Sequence, residues 1–439
     1  MCQEAPYPYI LPQAEDWPIV HFDAQRAVFL QAVIASASQE ILAQCRGTYA
    51  LQEVLRETLQ QEKDCRLNTP WRADPADEAV FWEQVARDLQ SPHAAQDVLN
   101  RVVTRYAYGI AGRFSVKHFE WASRGAMRFL AHLLAPAGLG HATGWLNVQR
   151  VLQQRLHVTG NIDHLRKLAQ GGTLFMVPTH FSHLDSLLIC YANHFMGLPP
   201  LLYCAGLNLL NNPLFAYLMS DLGVYKVDRR KNSLPYLTTL KAYSRTVLQQ
   251  GCHTLLFPGG TRSRSGAPEN TLKLGLLGTA IEAQRESCKQ YGPQARKIFV
   301  VPVVINSPFV LEAPSLIQEY MAKHHVLSCP GAGRSGKPSW YKQLRAAMNT
   351  WLRGANVSIS LGPAMDVLGH AVDETGQGYS PQGALVNVDT YFCDDDTDVC
   401  SKQQDRAHTQ RLGQEIVKAY HRYNCIFASH LVAFAAFEL

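Results

Sequence analysis

The segment Thr179-His180-Phe181-Ser182-His183-Leu184-Asp185 sets a histidine and an aspartate five residues apart. A histidine base needs a group that holds one ring nitrogen, so that the other can take a proton, and a carboxylate serves that purpose. Within a single helix, five residues turn about 500°, roughly 140° away from a shared face. The two side chains therefore meet only if His180 sits in a turn and Asp185 reaches back from the first turn of a helix. The flanking sequence suits this. Thr173-Leu174-Phe175-Met176-Val177 reads as a buried strand ending at Pro178, and a helix carrying Leu187-Leu188-Ile189 begins near Ser182.

Two later stretches can bind an anion. Gly223-Val224-Tyr225-Lys226-Val227-Asp228-Arg229-Arg230-Lys231 puts four cations within six residues. A solvated loop is the plain alternative to a phosphate site matched by the arginine fork. Leu255-Leu256-Phe257-Pro258-Gly259-Gly260-Thr261-Arg262-Ser263-Arg264-Ser265-Gly266 runs from a strand into a Gly-Gly turn and then alternates Arg with Ser. Glycines permit close backbone approach, free amides can line an anion, and Arg262 and Arg264 add full charges. Lys273 opens the next helix and either joins that cluster or is a surface lysine. The P-loop spacing is absent, so this is not a nucleotide loop of that kind.

These stretches need a frame. The chain has 439 residues, 47% hydrophobic and 18% charged, which suits one large or two ordinary domains with a sizeable core. A net charge of +5 fits anionic substrates or an acidic membrane surface and is far from a nucleic-acid-binding composition. Eleven scattered cysteines without a CxxC pair, and an N-terminus without a basic and apolar leader, read as reduced thiols in the cytoplasm. No transmembrane helix is expected, so membrane contact would be peripheral, on the cytoplasmic face.

Residues 1–23 are Pro-rich and expected to be irregular or to lie across the surface. Helical patterns dominate 24–165, a helical N-terminal domain. Its stretch Arg113 to Leu130 interleaves cations and aromatics, as either an ordinary packed helix or one that touches lipid headgroups. From 166 to 370 short apolar runs alternate with helices, which predicts an α/β domain with a mostly parallel central sheet flanked by helices. Strands are expected at 173–177, 254–257, 298–305 and 357–361, and helices at 183–196, 234–250, 271–286 and 340–353. Pro302 inside an apolar run predicts a bulge or an edge strand. Residues 371–439 are a C-terminal extension with an acidic loop, Asp394–Asp398, and helices.

Taken in order, the four stretches resemble the glycerolipid acyltransferase family, which acylates glycerol-3-phosphate and related acceptors. His180-x4-Asp185 matches its HxxxxD box with Ser182 in its usual place, and Gly223–Arg229 the second box, with Arg229 as the phosphate-binding arginine. Phe257-Pro258-Gly259-Gly260-Thr261-Arg262-Ser263 resembles FPEGTRS, and Val301-Pro302-Val303-Val304-Ile305 the fourth box. Ala205-Gly206-Leu207-Asn208-Leu209, Lys273-Leu274-Gly275 and Ser358–Pro363 resemble the glycerol-3-phosphate and dihydroxyacetone-phosphate acyltransferase branch. The resemblance covers roughly 165–370. It implies acyl transfer from acyl-CoA or acyl-carrier protein to a hydroxyl of glycerol-3-phosphate, with His180 and Asp185 as base and orienter. Ser182, Lys226, Arg229, Gly259, Gly260, Thr261, Arg262, Arg264 and Lys273 would bind the substrate, and no cofactor or metal is implied. Two positions depart from the pattern: Gly259 stands where most relatives have glutamate, and Lys226 where an aromatic is commoner. Lysophosphatidate acylation and a catalytically impaired lipid-binding relative remain alternatives. A zinc hydrolase using His180, His183 and Asp185 is another, with a spacing wrong by one residue.

Overall fold

The computed structural model describes the chain except residues 1–6, 76, 136–144, 212–215, 218, 264, 265, 309, 311–320, 322–355, 381, 394–397 and 439. The expected helix at 340–353 and most of the acidic Asp394–Asp398 loop lie outside the described residues.

Among the described residues seven strands form one sheet: β1 (Leu156–Thr159), β2 (Gly172–Pro178), β3 (Leu202–Gly206), β4 (Val224–Val227), β5 (Thr254–Leu255), β6 (Lys297–Asn306) and β7 (Val357–Leu361). Their order is β1-β7-β6-β2-β5-β3-β4. All neighbouring pairs are parallel except β6 with β7. The architecture is thus α/β, with a mostly parallel sheet flanked by helices and a helical region ahead of it.

The central strands are apolar on both faces, as strands covered on both sides must be. Along β2, Leu174 and Met176 join one core with the helices Ile162–Gly171 and Asp185–Phe195. Phe175 and Val177 point the other way, into a core shared with the helices Thr279–Tyr291 and Asp398–Arg422. The N-terminal helices do not build a core of their own. Val33, Ala37, Leu99 and Val103 pack with Leu202, Tyr225, Tyr236 and Tyr243 of the sheet and the helix Leu234–Gln249.

Two expectations need correction. Residues 1–23 are not irregular throughout, since Pro18–Ala24 is a helix. Pro18 sits at its start, where a missing N–H costs nothing, and Trp17, Ile19 and Phe22 are buried. The stretch up to 165 is not purely helical, because β1 pairs with β7 there; four residues, Leu-His-Val-Thr, are too few to show a period. Of the two readings of Pro302, the bulge holds and the edge does not, since β6 lies between β2 and β7. Val303 pairs with Leu361 while Val300 bridges Met365, so three steps along β6 meet four on its neighbour. The missing Pro302 N–H falls at that bulge.

His253, just before β5, is 2% exposed, and its Nδ1 accepts the Leu174 N–H at 3.1 Å. Burial, reinforced by Arg296, pushes its pKa down from 6.5 to about 3. Between those values the unfolded chain holds a proton that the folded one refuses. Stability must then fall as pH drops through this window, by up to about 1.4 kcal/mol per pH unit. His253→Asn keeps an acceptor for Leu174 and should flatten the pH dependence of the urea midpoint between about pH 6 and 4.5. An unchanged slope would show that His253 is not the group responsible.

Candidate active site

The loop after β2 is held from several sides. Thr179, fully buried, donates its N–H to Val303 O at 3.0 Å, and its Oγ1 accepts the Ile305 N–H at 3.1 Å. Tyr420 of the helix Asp398–Arg422 donates to Val177 O at 2.9 Å. His180 therefore starts from an anchored point at the carboxyl end of β2.

Asp185 opens the following helix and is 2% exposed. Its Oδ2 accepts from His180 Nδ1 at 3.0 Å, Phe181 N at 2.6 Å and Ser182 N at 2.9 Å. A buried carboxylate requires such donors, and the turn supplies them. Because the carboxylate only accepts, the Nδ1 proton is assigned, and Nε2 is left as the basic nitrogen. The ring stacks on Phe257, centroids 4.1 Å apart and planes 28° apart. His180 O accepts the Ser263 N–H at 2.7 Å, which ties the first motif to the third.

The third motif is a tight turn. Gly260 N donates to Phe257 O at 3.1 Å with φ at +75°, a conformation that favours glycine. That amide is therefore engaged within the turn and not open to a substrate oxygen. Lys273 N donates to Pro258 O at 2.8 Å, which ties the start of the next helix to the turn, and its exposed side chain runs over Gly260. Thr261 is exposed and Arg262 is half-buried with a partner. Arg264 lies outside the described residues. Ser182 is buried, and its Oγ accepts the Leu184 N–H at 3.1 Å, which makes it a brace for the turn. His183 is exposed beside it. Among the described residues no three His, Cys, Asp or Glu side chains stand together as a metal-binding set.

The four cations of the second motif divide. Arg230 pairs with Asp74 and Asp228 and stacks on Trp71, while Lys231 pairs with Glu62 at 2.9 Å. Lys226 and Arg229 have no ion pair among the described residues. Burial lowers the Lys226 pKa, and the nearby Arg26 and Arg113 lower it further. Such a cluster of positive charge calls for an anion. β4 is three strands from β2, about 14 Å at about 4.8 Å per strand, and its carboxyl end faces the same edge as His180.

Sequence reasoning missed several contributors. Arg26 and Arg113 come from the helical region. Tyr420 comes from a helix that carries no motif. Glu269, in the unpatterned loop Ala267-Pro268-Glu269-Asn270, accepts the His180 N–H on Oε1 at 3.0 Å. Burial raises its carboxyl above the ordinary range, against the pull of the amides that it faces. The one available signal was the bare Gly259, which leaves room for a neighbour's side chain.

Residues 158–306 match the sequence model of the family described as Acyltransferase. The chain carries an acyltransferase-family domain. It is related to the glycerol-3-phosphate acyltransferase branch. Proteins of that name from Pseudomonas paraeruginosa and Histophilus somni are 27% and 32% identical over 238 and 181 residues. Those stretches cover 54% and 40% of this chain. A third, from Pasteurella multocida, is 32% identical over 164 residues, 36% of this chain. The matches take in 25%, 21% and 19% of these relatives, so the chain matches a quarter or less of their length.

Asp185→Ala would strand the His180 ring N–H and two backbone amides, and should cost roughly 3 kcal/mol in urea unfolding. Asp185→Asn keeps one acceptor oxygen and should cost less than half of that. Equal losses for both variants would show that the hydrogen bonds are not what the loop depends on.

Proposed function

We propose that the chain moves a fatty acyl group from a thioester, acyl-CoA or acyl-carrier protein, to a hydroxyl of glycerol-3-phosphate. The observation that carries this reading is the His180 ring held at Nδ1 by a buried carboxylate, on the sheet edge where Lys226 and Arg229 lack ion-pair partners among the described residues. Nε2 takes the proton of the acceptor hydroxyl. The acceptor oxygen attacks the thioester carbonyl carbon, the C–S bond breaks, and the leaving thiolate regains the proton from His180. Atoms balance as an ester and a free thiol, with no covalent enzyme intermediate. Lys226 and Arg229, with the field of Arg26 and Arg113, hold the acceptor phosphate.

The helix Val116–Leu134 favours a peripheral place at an anionic membrane, where the products of such a reaction belong. Trp121 and Phe129 are 56% and 51% exposed, and Arg124 and Arg128 share their face. Aromatic rings with flanking cations suit a lipid headgroup layer. Among the described residues no single helix is long and apolar enough to cross a membrane. Co-sedimentation with vesicles containing anionic lipid should drop clearly for Trp121→Ala with Phe129→Ala; unchanged binding would remove this face from the proposal.

A thioester-release assay tests the reaction. Glycerol-3-phosphate, dihydroxyacetone phosphate and lysophosphatidate are offered separately, each with acyl-CoA and with acyl-carrier protein. Glycerol-3-phosphate should release thiol fastest, and His180→Ala should lose about two to four orders of magnitude in rate. Arg229→Ala should raise the acceptor KM with little change in the thioester KM. Full activity in His180→Ala, or preference for lysophosphatidate, would overturn the assignment.

A further inference from the structure

Positions 259 and 269 compete for one space. A Cβ built on Gly259 would lie 2.7 Å from Glu269 Oε1, 2.8 Å from its Cγ and 3.1 Å from its Cδ. Side-chain carbons do not approach so closely, so any side chain at 259 excludes Glu269 as it stands. We propose that Glu269 is a positioning residue for His180, delivering from a later loop the carboxyl group that the third motif lacks at position 259. This rests on the reading of His180 as the base.

Oε1 of Glu269 accepts the His180 N–H at 3.0 Å, and Asp185 takes the next two amides and the ring. Two carboxylates thus hold three successive N–H groups, and Ser263 holds His180 O. The histidine is fixed at main chain and ring together. The Glu269 loop is itself tied down. Ser263 Oγ donates to Ala267 O at 2.8 Å, and Asn270 Oδ1 bonds His421 Nε2 at 3.0 Å. Glu269 Oε2 is buried without a hydrogen-bond partner among the described residues. The carboxyl is therefore not there to satisfy a wider network; its described bond to another residue is to the His180 backbone.

The role asks for an acceptor and not for a charge, which separates the variants. Glu269→Ala should lower kcat by about 10- to 100-fold through a displaced base, with both KM values within about twofold. Glu269→Gln keeps the acceptor and should stay within about threefold of the parent kcat. An aspartate carboxylate oxygen lies two bonds from its Cβ, near where Oε1 now sits, so adding Gly259→Asp to Glu269→Ala should recover at least about tenfold. Gly259→Glu alone, which restores the commoner motif, should lower activity by evicting Glu269. Imidazole ¹⁵N signals of His180, assigned against His180→Ala, give a readout that needs no turnover. They should shift or broaden in Glu269→Ala and return in Glu269→Gln and the double variant. Absence of thiol release by the parent protein would defeat the acyl-transfer reading alone, while the ring signals still decide on Glu269. Parent-like kcat and signals in Glu269→Ala, or losses that neither variant restores, would overturn the proposal.

Discussion

The site depends on a single buried carboxylate oxygen. Asp185 stands at the start of a helix, where unpaired N–H groups and the positive end of the helix favour an acid. Taken out of water, that charge must be met by donors or the loop does not form. The three it receives come from consecutive residues, His180 to Ser182, so satisfying the charge folds the turn and aims the ring in one step. The basic Nε2 is a consequence of that requirement, since the carboxylate commits Nδ1 as the donor.

The sheet supplies the rest by direction. Parallel strands bring their carboxyl ends to one edge, and β2, β5, β3 and β4 are consecutive neighbours there. The histidine turn, the Gly-Gly turn and the basic loop come to one edge through strand order, although 49 residues separate His180 from Arg229. The cations then sort by what surrounds them. Arg230 and Lys231 meet Asp74 and Glu62 of the helical region and join that region to the sheet. Lys226 has no ion pair among the described residues; burial first, and then the nearby Arg26 and Arg113, lower its pKa. One basic run thus does structural work with two of its charges, and the proposed reading gives the other two, Lys226 and Arg229, to the acceptor phosphate.

Much of this was legible in residues. The five-residue spacing of His180 and Asp185 rules out a shared helix face and forces the turn that the structure contains. Apolar runs on both sides of glycines located β2, β6 and β7, because a strand buried on both faces needs no alternation to be seen. β1 and β3 escaped because four or five residues show no period. The N-terminal helix was hidden by its prolines, although Pro18 lies where proline starts a helix. Which cations are free could not be read at all, since Asp74 and Glu62 lie more than 150 residues upstream of their partners. Tyr420 and Glu269 likewise act through long-range contact and carry no local pattern.

Gly259 illustrates what a linear motif omits. Read along the chain, it is a missing glutamate and a reason to doubt the site. Read in space, its lack of a Cβ is what admits another carboxyl, 2.7 Å from where that Cβ would be, onto the His180 backbone. The requirement belongs to the volume beside the base and not to a position in the chain. A glycine there and a glutamate ten residues later are then one feature, and neither substitution makes sense without the other. On the proposed reading of His180 as the base, the third motif's departure takes no carboxyl away from it, since Glu269 supplies one.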